Sequence, residues 1–167
     1  MDISVLSAAI CIVFANASPP DFYLKSSRKS LGCKIAPHLI EQSNKNGLDP
    51  TLMMGLISVE SNWNKDVVSK ANACGLTQVI PKYTGKITRK YTCKDLKNPR
   101  HSINAGTKIL KYWINWHKGD IKRGLCAYNA GYRCGGKNPN KHGMRYARKV
   151  LRMQKKFQKL INKTELK

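Results

Sequence analysis

A chain of 167 residues with 41% hydrophobic content is long enough to close one hydrophobic core, which argues against both pervasive disorder and two full domains. Its 31 Lys and Arg against nine Asp and Glu give a net charge of +22, with an isoelectric point near 10.0. Such an excess calls for an anionic partner, whether nucleic acid, acidic lipid or a cell-wall polymer, and by itself does not choose among them.

Residues Ile3 to Ala15 form an uncharged apolar run. It is too short to span a bilayer as a helix but suits the core of a secretory signal. Ala15-Asn16-Ala17 places small residues where a signal peptidase reads, with cleavage before Ser18. Against this, the start carries Asp2 and no Lys or Arg, so a buried N-terminal helix is the competing reading. Cys11 lies inside the segment, and Cys33, Cys74, Cys93, Cys126 and Cys134 remain beyond it. None forms a Cys-x-x-Cys pair, which disfavours zinc and thioredoxin-like chemistry. In an oxidising compartment those five allow two disulfides and one free thiol. Cys74–Cys93 and Cys126–Cys134 would close short loops, although spacing does not decide connectivity.

Ser18 to Ser30 reads as an irregular lead-in. A first helix is expected over Ile35 to Asn46, with Ile35, Leu39 and Ile40 on one side and Gly47 as its stop. Asp49 as N-cap and Pro50 at the first helical position open a second, running to about Glu60. Leu52, Leu56 and Val59 face its core side, and Glu60, four residues after Leu56, shares the edge of that stripe. Asn64 to Gly75 is polar and loop-like, Gly75 to Pro81 is a short run ended by proline, and Lys82 to Asn98 suggests a helical turn and a loop. Ser102 is the expected cap of a strong helix with Ile103, Gly106, Leu110, Trp113 and Ile114 on one face. Asp120 caps another over Ile121 to Tyr128, closed by Asn129-Ala130-Gly131. After a loop from Cys134 to Gly143, Met144 to Asn162 forms the last helix. No alternating run long enough for a strand occurs, so the fold class is all-α: a single helical domain of five or six helices, with residues 1–17 as a signal and 18–167 as the domain. From Lys137 to Lys167 eleven Lys and Arg face one acid, Glu165, which reads either as a solvated helix face or as a tether to an anionic polymer.

Glu60 is a lone acid ending an apolar helix. A carboxyl group against an apolar wall holds its proton towards neutral pH and can donate it to a leaving oxygen. Other chemistries lack their parts. His38, His101, His117 and His142 are scattered without metal-ligand spacing, and neither a phosphate-binding glycine loop nor a Gly-x-Ser-x-Gly elbow occurs. No metal or cofactor is called for. Glycoside cleavage usually takes a second carboxylate, yet Asp66, Asp49 and Asp95 are not placed for that role. On the residues alone, an end-of-helix acid paired with a nearby lysine is the better reading, ahead of a catalytic one.

Three blocks alter that balance: Glu60-Ser61-Asn62-Trp63-Asn64, Gly75-Leu76-Thr77-Gln78-Val79-Ile80-Pro81 and Ala127-Tyr128-Asn129-Ala130-Gly131. In this order they resemble the signature blocks of the soluble lytic transglycosylase family, which has a lysozyme-like fold. Asn98-Pro99, Ile103-Asn104-Ala105-Gly106 and Ile109-Leu110 resemble its connecting helix, and Tyr146 sits where the family places a site tyrosine. The resemblance covers about Ile35 to Met153. The chain departs from the pattern at Thr77, where methionine is usual, in lacking an acid before Tyr128, and in its added cysteines.

The resemblance implies cleavage of the β-1,4 bond between N-acetylmuramic acid and N-acetylglucosamine in peptidoglycan. Glu60 would act as acid and then as base, with 1,6-anhydro products. It implies roles for Ser61, Thr77, Gln78, Tyr128, Asn129 and Tyr146 in binding sugar or orienting Glu60. Peptidoglycan strands become the expected partner, anionic envelope polymers the partner of the basic C-terminal region, and nucleic-acid binding at most nonspecific. A monomer, secreted or periplasmic and acting at the cell wall, is expected. Compactness and charge favour a phage lysis enzyme over a bacterium's own remodelling enzyme. Hydrolytic cleavage of the goose-lysozyme kind, or a cationic wall- or membrane-binding protein without catalysis, are the alternatives.

Overall fold

The computed structural model describes residues 2–16 and 24–165. Among these it contains seven α-helices and no strand, only the isolated bridges Val68–Cys74 and Cys74–Val79, in accord with the all-α expectation. The helices are α1 (Ile3–Ala15), α2 (Ser26–Lys45), α3 (Pro50–Glu60), α4 (Cys93–Leu96), α5 (Pro99–Trp116), α6 (Ile121–Ala130) and α7 (Lys141–Glu165). Short 3-10 turns lie at Pro81–Tyr83 and Gly131–Cys134.

α3 is the central element. Its residues Leu52, Met53, Met54, Leu56 and Ile57 are fully or almost fully buried, so it is apolar all round because it is covered all round. Asp49 caps it by accepting from the Thr51 amide, with Pro50 at the start as expected. α7 runs antiparallel across it. The approach is close because Gly55 faces it: a side chain there would meet Val150 O at 2.8 Å and Gln154 N at 2.9 Å. At one end Gln154 and Gln158 donate to Asp49 Oδ2, and at the other Tyr146 reaches Glu60. Two features far apart in sequence are thereby brought within hydrogen-bond distance.

The helix edges depart from the sequence expectation in instructive ways. α2 begins at Ser26, well before Ile35, and continues through Pro37. α5 is capped by Asn98, whose side chain accepts from the Arg100 and His101 amides. Ser102 is therefore not a cap but a fully buried residue within the first turns. α7 starts at Lys141 and reaches Glu165, longer at both ends than Met144 to Asn162.

α1 packs with the rest of the fold. Ala9, Ile10, Val13 and Phe14 are buried in the main core, and Cys11 is bonded to Cys33 of α2. The expected pairs Cys74–Cys93 and Cys126–Cys134 are both present, so all six cysteines are bonded and the expected leftover thiol does not occur. The cleavage point between Ala17 and Ser18, and residues 18–23 of the lead-in, lie outside the described residues, while its last five residues belong to α2. No helix among the described residues is long and apolar enough to cross a membrane.

Candidate active site

α3 stops at Glu60 because the backbone turns sharply after it. Ser61 closes the helix by donating its amide to Ile57 O, and Asn62 and Trp63 then take left-handed conformations with φ of 46° and 63°. Asparagine tolerates that region, but a bulky tryptophan does so only when its surroundings hold it. Here the Trp63 ring is 1% exposed. Its indole N–H donates to Ser58 Oγ at 2.8 Å, and Phe14 packs edge-on against it with centroids 4.6 Å apart. The Arg28 guanidinium donates to Asn62 O at 3.2 Å. The chain just past Glu60 is thus pinned from α1 and α2.

Glu60 is half-buried, and Tyr146 donates its hydroxyl to Oε1 at 2.6 Å. Burial pushes the carboxyl up from its ordinary 4.5 to about 7, with the tyrosine hydrogen bond acting in the opposite direction. No other protein hydrogen bond reaches this carboxyl among the described residues, which leaves Oε2 as its free edge. The tyrosines beside it, Tyr128 and Tyr146, have hydroxyls held well above their usual range, first by burial and then by the charge of Glu60. Both therefore remain O–H donors at any physiological pH.

The second wall is the turn around Thr77 and Gln78. Gly75 makes it possible, with φ of 75° and with Leu96 O standing 1.9 Å from where a side chain would begin. Gln78 is also left-handed, at 49°, and its side-chain amide donates to Val67 O and Gly75 O at 3.1 and 2.9 Å, closing the turn on itself. The Thr77 side chain is fully buried, its hydroxyl donating to Ser102 O at 2.8 Å while its amide donates to Ser102 Oγ at 3.1 Å. It thus has no surface to offer a sugar, contrary to the subsite contact expected of it. What Thr77 contributes is its carbonyl, which accepts from the Tyr128 hydroxyl at 2.7 Å. Ser102, expected only as a helix cap, is the anchor of this turn.

Glu60, Tyr128 and Tyr146 come together with the Thr77–Gln78 turn. Ser61 is buried and donates back to Ile57 O at 3.1 Å. Asn129 is exposed at the end of α6, its Oδ1 3.3 Å from His142 Nδ1 on α7. Among the described residues no second carboxylate approaches. Asp66 pairs with Lys65 and Asp95 with Thr92. Asp49 sits at the far end of α3, about 16 Å away at 1.5 Å per residue. Among the described residues no cluster of His, Cys, Asp and Glu is suited to a metal ion.

The arrangement offers one carboxyl that burial holds above the ordinary carboxylate range, a tyrosine hydrogen-bonded to it and a polar turn nearby. A transglycosylase SLT domain model matches residues 37–151, which includes every one of these groups. Among curated proteins the chain is 36% identical over 88 residues to the membrane-bound lytic murein transglycosylase C of Glaesserella parasuis, covering 46% of this chain and 23% of that protein. It is 30% identical over 112 residues to that of Photorhabdus laumondii, covering 59% and 31%. The chain thus spans less than a third of the length of these two relatives. Among solved structures, an inactive mutant of lytic transglycosylase Slt from Pseudomonas aeruginosa superposes with a TM-score of 0.68 at 20% identity, over 75% of this chain and 24% of that one. The 70 kDa soluble lytic transglycosylase of Escherichia coli gives 0.64 at 21%, over 93% and 30%. At such identities these two likenesses speak for the fold.

Proposed function

Since the chain belongs to the transglycosylase SLT domain family, we propose that it cleaves the β-1,4 bond between N-acetylmuramic acid and N-acetylglucosamine in peptidoglycan, using Glu60 alone. The observation that carries this reading is the single carboxyl held near pKa 7 with Tyr146 on Oε1 and no second acid nearby among the described residues. Because Oε1 accepts from tyrosine, the acidic proton resides on Oε2, the open edge. Glu60 passes that proton to the glycosidic oxygen as the bond to the anomeric carbon breaks, and the departing electron pair stays on the leaving oxygen. The N-acetyl carbonyl of the same sugar stabilises the positive charge that develops. The Glu60 carboxylate then takes the proton of that sugar's 6-hydroxyl, whose oxygen attacks the anomeric carbon and closes a 1,6-anhydro ring. Attack within one sugar gains effective concentration and needs no positioned water.

Tyr146 orients the carboxyl and steadies its ionised form between the two steps. Tyr128 secures the turn that carries Gln78, and Asn129, exposed beside it, is placed to meet sugar hydroxyls. Mass spectrometry of the glycans released from purified peptidoglycan tests the reaction. The expected products are lighter by one water than their hydrolytic counterparts; products that all end in a reducing sugar would assign the chain to goose-lysozyme-like hydrolysis instead.

The setting follows from the same reading. Arg145, Arg148, Lys149, Arg152, Lys155 and Lys159 are exposed along α7. This face is proposed to hold the monomeric protein against peptide carboxylates and anionic envelope polymers, with a corresponding loss of binding in salt. Nucleic acid would bind it only in the nonspecific way of any polycation. Work at the wall requires a secreted or periplasmic protein, a phage lysis enzyme included, and residues 1–17 are proposed to direct its export. The seat of α1 in the core and the Cys11–Cys33 bond favour a segment that stays with the exported domain. Thiol titration of the exported, denatured protein decides this: no free thiol is expected, whereas cleavage before Ser18 would remove Cys11 and expose one thiol, at Cys33.

A further inference from the structure

Four aromatic rings gather at the end of α5 and on the turn after α6. Trp113 stands edge-on to Tyr112 and Tyr132, with centroids 5.2 and 5.0 Å apart, and Trp116 stands 5.3 Å from Tyr132. Trp116 is 55% and Tyr132 66% exposed. Bare aromatic surface of this extent does nothing for the core and is characteristic of recognition. The group is also built rather than fortuitous. Trp113 packs against the Cys126–Cys134 disulfide, which folds the Gly131–Cys134 turn back towards α5, where Tyr132 meets both Trp113 and Trp116. Rings locked in this way bind without losing further freedom.

We propose that Trp116 and Tyr132, held by Tyr112, Trp113 and the Cys126–Cys134 disulfide, form an auxiliary platform on which N-acetylated sugar rings of the glycan strand stack outside the catalytic cleft. The proposal rests on the reading of Glu60 as the acid that cuts such a strand. Continuity along α5 and α6 argues for this occupant. Tyr128 packs on the cluster that contains Ala105, with Ile109 beside it. Trp113 lies one turn further along α5 and Trp116 another three residues on, so the platform is about 10 Å from Ile109 at 1.5 Å per residue. Tyr132 follows the candidate site residue Asn129 by three positions. A polymer of sugar rings can bridge that interval, and the flat faces with hydroxyls at their edges match the C–H face and polar rim of a pyranose. Arg133, exposed beside Tyr132, adds a cation suited to the carboxylates of peptidoglycan stem peptides.

The test compares sedimentation with purified insoluble peptidoglycan for the full chain carrying Glu60→Gln, with and without Trp116→Ala and Tyr132→Ala. The double substitution is expected to weaken binding about tenfold, as loss of exposed aromatic anchors does, and to leave the melting temperature unchanged. Trp116→Phe, which keeps a ring, is expected to recover part of the loss. Unchanged affinity would overturn the proposal. So would a loss confined to vesicles of phosphatidylglycerol, which would assign the patch to a membrane surface, or a loss confined to self-association in sedimentation velocity, which would assign it to a second copy. Residual cleavage by the Glu60→Gln chain would refute the catalytic reading alone, because the platform is judged by the ratio between chains that share that change.

Discussion

Replacing Glu60 by Gln is expected to abolish cleavage of purified cell walls while leaving wall binding in place. General acid–base groups contribute roughly 10²- to 10⁴-fold each. In the proposed mechanism one carboxyl serves both half-reactions, so the loss should stand at or beyond the upper end of that range. Gln keeps an oxygen for the Tyr146 hydroxyl, so the site should survive intact. An unchanged rate of lysis would favour the non-catalytic cationic protein.

The pH dependence follows from the same group. The reaction starts from protonated Glu60, which titrates at about 7. Activity limited by this group should be flat in mild acid, halved near pH 7 and about tenfold lower for each pH unit above it. No ascending acid limb is expected from Glu60, because its carboxylate is generated within the reaction by the first proton transfer. A rate that holds constant from pH 6 to 9 would contradict the assignment of Glu60 as the acid.

Stability should also fall as pH rises, but over a lower range than activity. The folded carboxyl titrates above its ordinary 4.5, so burial opposes the charged form. Below pH 4.5 both folded and unfolded chains are protonated and nothing is lost. Between 4.5 and about 7 the unfolded chain ionises while the folded one resists, and stability declines; above 7 the deficit is constant. Its size is on the order of 3 kcal/mol. Glu60→Gln should therefore melt higher than the parent chain at pH 8 and at the same temperature at pH 4. A proposed catalytic group that costs stability is what a site selected for reactivity leads one to expect.

Phe14→Ala is the second substitution with a large expected effect. The ring is fully buried, lies against Gly32, and meets both Trp63 and Phe157, the latter at 6.4 Å between centroids. Removing it opens a cavity between α1, α2, α7 and the loop after Glu60, at a cost of about 3–5 kcal/mol. For a chain of this size that amounts to a fall of roughly 6–20 °C in melting temperature. Activity should fall at temperatures where the protein is still folded, because the strained Trp63 backbone loses part of what holds it. A full-length Phe14→Ala chain that melts with the parent would show that α1 does not pack as described.

The comparison of chain and structure divides along a physical line. α3 was legible from end to end, because Asp49, Pro50 and an apolar run act within a few residues of one another. The same holds for α6, which begins after Asp120 as expected. The cap of α5 was misplaced by one turn, because Asn98 and Ser102 are both good capping residues and only packing decides between them. Ser102 is buried against Thr77, a partner 25 residues earlier that no local signal announces. Thr77 itself was expected at the sugar and is turned to the core. α1 was the hardest case, since an apolar run reads alike as an export signal and as a core helix.

By itself, then, the sequence determined the helical class, the place of Glu60 at the end of an apolar helix, and the blocks that surround it. It also determined the absence of metal-ligand spacing and the strongly basic last helix. Only the tertiary structure decided that Tyr146 is the hydroxyl on Glu60, that the Thr77 carbonyl accepts from Tyr128, that Cys11 pairs with Cys33, and that four aromatic rings meet at the end of α5. Helix periodicity and capping are written in contacts over three or four residues. The partner of Glu60 lies 86 residues away, and its position is set by how closely α7 can approach α3 over Gly55, a matter of packing that no local pattern records.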